Sequence, residues 1–218
     1  MKYLGWAGLL LLAGCTANLV KPAEYSGFLA NYERLNASIA ADGEEVLRWI
    51  NPKLEKGQYA KAKFKEVEFY PKLKASGQVA ASALANLKSH INLQIIKVAQ
   101  QQSFWGKEAG QGVVEVSMVI TGVKVSNESL SLLDVIPIKL VIAGAGAAIG
   151  FRDKDVDIYV EVSGVDSVSR EPLFSLVRKI RGEQLLSKWD QMEIADVQVA
   201  VDQFIVTGIG AMVKFFRH

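Results

Sequence analysis

Between Asp155 and Ser163 the chain alternates without a break: Val156, Ile158, Val160 and Val162 are apolar, and Asp157, Tyr159, Glu161 and Ser163 lie between them. A period of two is the mark of a β-strand with one dry face and one wet face. Such a strand does not bury its dry face alone, so a second layer has to cover it. The rest of the chain is constrained by what can supply that cover.

Three further segments read as strands. Val113 to Val125 places Val114, Val116, Met118 and Ile120 on a dry face, with Glu115, Ser117 and Thr121 opposite. Ser169-Arg170-Glu171-Pro172 is turn chemistry, and Leu173 to Arg181 then supplies an antiparallel partner. From Tyr59 to Tyr70, Lys61, Lys63 and Lys65 alternate with Ala62 and Phe64, and the apolar phase shifts at Val67 and Phe69, which predicts a bulge. The three lysines read as a solvated strand face rather than an anion-binding patch. The carboxylates Asp153, Asp155 and Asp157 likewise read as one solvated face, because no tight calcium-type loop with a distal Glu surrounds them.

Two segments carry helical spacing. Ser76 to about Gln101 aligns Ala80, Leu84, Leu87, Ile91, Ile95 and Val98 in one stripe behind Ser76 as N-cap. Beside the stripe, His90 reads as an ordinary boundary residue. From about Gln191 to Phe216, Ile194, Val197, Val201, Phe204, Gly208, Met212 and Phe215 share a side that Val199, Ile205, Val206, Ile209 and Val213 widen. An arc that broad predicts a helix deeply covered by the sheet. Upstream, Leu29, Tyr32 and Leu35 behind Ser26 predict a short helix or a turn, and Asn51-Pro52 and Gly57 punctuate the chain before Tyr59. The expected fold is α+β in β-α-β-β-β-α order: a mixed or antiparallel sheet of about four strands, two main helices on one face, and an N-terminal tether.

The N-terminus carries an address. Lys2 precedes a short apolar run, Leu4 to Leu12, and the run ends in Leu12-Ala13-Gly14-Cys15. A basic start, an apolar middle and small residues before a cut site make a secretory signal, and the run is far short of the roughly 20 residues that span a bilayer. Leu-Ala-Gly-Cys matches the lipobox of bacterial lipoproteins, in which Leu12, Ala13 and Gly14 are read by the peptidase and Cys15 takes the lipid. Three acyl chains, palmitate among them, bind far more firmly than one. The expected division is a signal peptide over 1–14, a lipidated tether and N-terminal extension over 15–57, and an α+β lipoprotein domain over 58–218.

Composition removes several function classes. Half of the residues are apolar and the net charge is +2, which gives no support for nucleic-acid binding. Cys15 is the one cysteine, so stability comes from packing rather than an internal disulfide. Ile138 to Gly150, with Gly144-x-Gly146, resembles a dinucleotide-binding turn at first sight. The chemistry needs a helix opening at the glycines, and Phe151-Arg152-Asp153-Lys154 leads straight into the alternating strand instead. Nucleotide binding is therefore rejected, and the segment Val135 to Phe151 is left as a packing loop or an interaction element, with Val141, Ile142, Ile149 and Phe151 as its candidate contacts. No nucleophile, base and orienting group come together in the sequence, no metal-ligand cluster is present, and no cofactor is expected.

Several of these segments carry a resemblance. The lipobox, then Ser26-Gly27-Phe28-Leu29 with Tyr32 and Leu35, then the Tyr59 strand, Val160-Glu161-Val162, Asp166-Ser167 and Glu171-Pro172-Leu173, resemble the bacterial lipoprotein family of domain of unknown function 3313. The lysine-rich strand Tyr59 to Pro71 departs from that family's pattern. The resemblance implies a lipid-anchored α+β domain of the cell envelope and brings no catalytic residues with it. Thr16, in place of an aspartate behind the cysteine, resembles the signal for sorting to the outer membrane.

The expected function is that of a non-enzymatic accessory lipoprotein. It would be held by its acyl chains on the periplasmic side of the outer membrane, where it binds another envelope protein. The alternative is a lipoprotein that binds lipid or another apolar ligand, in a cavity between the Val135–Phe151 segment and the terminal helix.

Overall fold

In the computed structural model, which describes residues 18–71, 81–127, 154–182 and 193–216, the alternating segment is an interior strand. It is β6 (Lys154–Asp166), with β5 (Val113–Asn127) and β7 (Pro172–Arg181) antiparallel on either side. Val156, Ile158 and Val160 are fully buried, as the alternation requires. Beyond β7 lie β2 (Glu45–Ile50) and then β1 (Asn36–Ile39), both antiparallel to their neighbours. On the far side of β5, β3 (Lys61–Phe64) and β4 (Glu68–Phe69) both pair with it in parallel.

The sheet is mixed, as expected, but it has seven strands rather than about four. The missed strands are short or two-sided. β1 has four residues and β4 has two, too few for a period to show. In β2 both Val46 and its neighbour Leu47 pack against apolar groups, one on each side of the sheet, which blurs the alternation. The phase shift from Phe64 to Val67 is a break between β3 and β4 on one partner strand. The bulge lies on β5, where the register jumps past Thr121 between Ile120 and Gly122.

Two helices cover the Val156–Ile158–Val160 face. In α1 (Ala81–Gln100), Leu84, Leu87, Ile91 and Ile95 are buried along the predicted stripe, and Ala99 rather than Val98 completes it. Ser76 and Ala80 lie outside the described residues. In α2 (Ala195–Phe216), Val197, Val201, Phe204, Ile205 and Ile209 join the same core. The helices are fastened to each other where His90 Nε2 lies 2.7 Å from Asp202 Oδ1 and Gln94 donates to Asp202 Oδ2. Contrary to the expectation of deep cover, α2 leaves Val199 and Val206 more than half exposed. A helix lying on a sheet buries one side, and the apolar arc of α2 is wider than that side.

The opposite face of the sheet is covered over β2, β6 and β7. Residues 20–35 fold back across it, and Val20 and Leu29 pack on Val177 together with Phe28, Tyr32, Leu35, Leu47 and Tyr159. This stretch and the strands β1 and β2 fall inside the 15–57 region read as tether and extension. Around Leu29 and Tyr32 the chain makes a turn rather than a helix, with Ser26 Oγ accepting from the Phe28 amide at 3.1 Å and Gly27 at φ +86°. Under this layer Glu161 is fully buried and Asp157 nearly so, which corrects the reading of Asp157 as part of a solvated face. Asp157 instead lies beside Lys179 and Arg181.

Candidate functional site

α2 meets the sheet closely at its first turn and loosely further on. A Cβ on Gly182, at the end of β7, would sit 2.5 Å from the Asp196 carbonyl oxygen. Further along, α2 presents Thr207, Gly208 and Ala211, side chains too short to reach the strands. A Cβ on Gly208 would meet nothing within 4 Å. The space left is a cleft of about 150 Å³ between α2 and the β2–β7 half of the sheet. Val46, Ile50, Phe174 and Leu176 form its floor, and Phe204, Met212 and Phe216 its helical wall.

The cleft is apolar except at its ends. On β7 the residues facing the helices are Phe174, Leu176, Arg178 and Ile180, so one arginine interrupts an apolar register. Arg178 Nη1 lies 2.8 Å from Asp42 Oδ2 in the β1–β2 turn, with side-chain exposures of 7% and 2%. Its guanidinium sits 5.3 Å from the Phe204 ring centroid, and its Nε has no hydrogen-bond partner among the described residues. Arg48 is the diagonal neighbour of Arg178, since β2 pairs it with Leu176. It is exposed at the rim and donates to Ser38 Oγ at 2.8 Å.

The other end is closed by Glu55 and Tyr59. The Tyr59 hydroxyl donates to Asp166 Oδ2 at 3.0 Å. Burial, reinforced by that carboxylate, pushes its pKa up to about 12, so it keeps its proton at neutral pH. The walls thus offer apolar surface, two arginines and a proton held in place. Such a set is suited to holding a molecule.

The segments that carry the family resemblance meet elsewhere, as joints. Glu161 Oε1 accepts from the Ser26 amide at 2.9 Å and Oε2 from the Tyr32 hydroxyl at 2.6 Å, so Ser26-Gly27-Phe28-Leu29 is latched onto Val160-Glu161-Val162. Asp166 Oδ1 accepts from the amides of Val168 and Ser169, which shapes the β6–β7 turn. Lys61 and Lys65 are exposed and Lys63 half-buried, as a solvated strand face requires, and all three also find partners. Lys65 and Arg170 each reach Glu115 Oε1 at 2.7 Å, Lys63 lies 3.9 Å from Oε2, and Lys61 donates to the Ser103 carbonyl.

Leu12, Ala13, Gly14 and Cys15, and the interaction candidates Val141, Ile142, Ile149 and Phe151, all lie outside the described residues. The terminal helix walls a cleft, but the wall opposite is β2 and β7; the Val135–Phe151 segment that the alternative reading set against the helix lies outside the described residues. Asp42, Arg48 and Arg178 were not singled out in advance. For Arg178 the signal was present: a charge in phase with Phe174, Leu176 and Ile180 either pairs or faces a ligand. Among the described residues no three His, Cys, Asp or Glu side chains are grouped to hold a metal.

A family model described as protein of unknown function (DUF3313) matches residues 24–206. The uncharacterized lipoprotein YdcL of Escherichia coli K12 is 31% identical over 201 residues, which cover 92% of this chain and 90% of YdcL. Among solved structures, the hypothetical protein CT253 from Chlamydia trachomatis overlaps at a TM-score of 0.44 with 10% identity, covering 72% of this chain and 97% of that one. The PelC dodecamer from Paraburkholderia phytofirmans overlaps at 0.37 with 7% identity, covering 79% and 97%.

Proposed function

The chain belongs to the DUF3313 family and is a lipoprotein, and from that premise we propose that it is a non-enzymatic binding protein that holds an apolar ligand in the cleft beside α2. Cys15 carries the acyl anchor after removal of residues 1–14, and the domain is held on the periplasmic side of the outer membrane. The observation that carries the binding reading is the open space over Gly208, where small residues replace the side chains that would otherwise fill the core. Interiors normally pack without such gaps, so a retained apolar cleft is the default place for a ligand.

The reading is tested with N-phenyl-1-naphthylamine, a neutral dye that brightens in apolar sites. The full chain should bind it saturably, and Gly208→Leu, whose Cβ meets nothing within 4 Å and whose branches would enter the cleft, should abolish the signal. Equal dye binding by the two proteins would overturn the proposal. The docking of an envelope protein is the second reading, favoured by Leu93 and Ile96 on α1 and Val199 and Val206 on α2, all strongly exposed. Crosslinking in cells to one dominant envelope protein, lost on Val199→Glu, would support it.

A further inference from the structure

We infer that the occupant of the cleft is a single-chain amphiphile with an anionic head, taken from the membrane surface, its head at Arg48 and Arg178 and its chain along α2. This rests on the reading of the cleft as a binding site and adds the charge, the orientation and the source of the ligand.

The cleft is polarised along its length. Arg48 and Arg178 lie together at one end, and Asp42 offsets only one of them. Arg178 Nε is buried with no hydrogen-bond partner among the described residues, so Asp42 does not use all the donors of this guanidinium, and an anionic oxygen gives the strongest bond to such a group. At the other end stands Glu55, which repels a negative head. An amphiphile therefore has one favourable direction.

The volume suits a single chain. A closed apolar cavity of about 150 Å³ is the size that takes up benzene. The cleft, of similar volume, fits a stretch of one acyl chain.

Position supplies the source. Asn18 Nδ2 donates to Glu44 Oε2 at 2.9 Å and its backbone N–H to Glu45 Oε2 at 3.3 Å, so Asn18 is tied to the β1–β2 hairpin. The turn of that hairpin contributes Ala40, Ala41 and Asp42 to the cationic end of the cleft. Cys15 lies only three positions before Asn18, a reach of about 11 Å at full extension. An acylated Cys15 therefore keeps the arginine end of the cleft near the lipid headgroups.

The test uses the full chain held in amphipol, with cis-parinaric acid and its methyl ester as fluorescent probes that differ only in head charge. The acid should bind about tenfold more tightly than the ester. Arg48→Gln should erase that difference while leaving the ester unchanged, and Gly208→Leu should abolish binding of both. Acid and ester binding alike, with both lost in Gly208→Leu, would overturn the inference and leave the cleft reading standing. Binding of both probes undiminished in Gly208→Leu would remove the cleft reading itself. Oleate or lysophosphatidylglycerol, whichever displaces the acid at lower concentration, identifies a carboxylate or a phosphate head. Displacement by lysophosphatidylcholine equal to either would count against an anionic ligand.

Discussion

Tyr32 donates its phenolic hydrogen to Glu161 at 2.6 Å, across 129 positions of sequence, and this bond pins the N-terminal layer to the middle of the sheet. Removing the hydroxyl leaves one oxygen of a fully buried carboxylate unanswered. Tyr32→Phe should therefore cost about 2 kcal/mol, the scale of a hydrogen bond to a charged group. Urea unfolding measures the loss, and limited proteolysis should show faster cleavage within residues 18–35. A variant as stable and as resistant as the parent would mean that the latch contributes nothing.

The pair Asp42–Arg178 is buried, so its two halves are not equivalent to their sum. Asp42→Ala strands a cation in an apolar wall and should cost about 3–5 kcal/mol. The double change Asp42→Ala with Arg178→Met removes the stranded charge and should recover most of that loss. A double-mutant cycle reads the coupling. Additive costs would show that the pair is not coupled in solution.

Gly182 has no room for a side chain. A Cβ there meets the Asp196 carbonyl oxygen at 2.5 Å and Val197 Cγ1 at 2.7 Å, and a backbone oxygen does not swing aside. Gly182→Ala should push the first turn of α2 off the end of β7 at a cost of about 1–3 kcal/mol. Thermal melting of this variant beside Gly210→Ala, where a Cβ meets nothing within 4 Å, isolates the clash from the loss of a glycine. Equal melting temperatures would refute the close approach.

Glu115 makes stability depend on acid. Burial pushes its carboxyl pKa up, but Lys65 and Arg170 outweigh burial and hold it below the ordinary 4.5. A group with a lower pKa in the folded state contributes stability that is complete above the unfolded value and is lost as pH falls through the folded one. The urea midpoint should thus drop between pH 7 and pH 3, and the drop should be smaller in Glu115→Gln. Asp166, held low first by the Ser169 amide, acts in the same direction and leaves part of the drop in place. An unchanged drop in the variant would exclude Glu115 as a source.

Cys15 is the last test, and it concerns chemistry rather than packing. Cys15→Ala should block both acyl labelling and removal of residues 1–14, read as a larger, unlabelled band on gels. Maturation at the same site with lipid still attached would mean that another residue carries the anchor.

Much of this was legible in the sequence where one periodicity governs a segment. The stripe of α1 and the dry face of β6 follow from spacing alone, since each is long and meets one partner layer. The second layer was not legible. Asp157, Tyr159 and Glu161 look solvated because polar residues alternate with valines, and nothing local says that Ser26 and Tyr32 will arrive to answer Glu161. β1 and β4 are too short to carry a pattern, and β2 packs on both sides. The cleft escaped for a related reason: it is a deficit of side-chain volume at Gly208 and Ala211, visible only once the strands opposite are in place. Arg178 carried a signal in the sequence, a charge in an apolar phase, but one that went unread.

The span of the Ser26–Glu161 bond, 135 positions, also fixes a sequence of events. The β6–β7 hairpin closes through a short turn, whereas β2 and the Ser26 layer have partners that lie more than a hundred positions away. A ribosome or an export channel delivers the N-terminus first, so this layer emerges long before there is anything to dock on. Long-range closure of this kind is slow and exposes apolar surface while it waits. This early layer thus waits for strands made more than a hundred positions later, and Val20, Phe28 and Leu29 are what a chaperone would have to shield until β6 and β7 arrive.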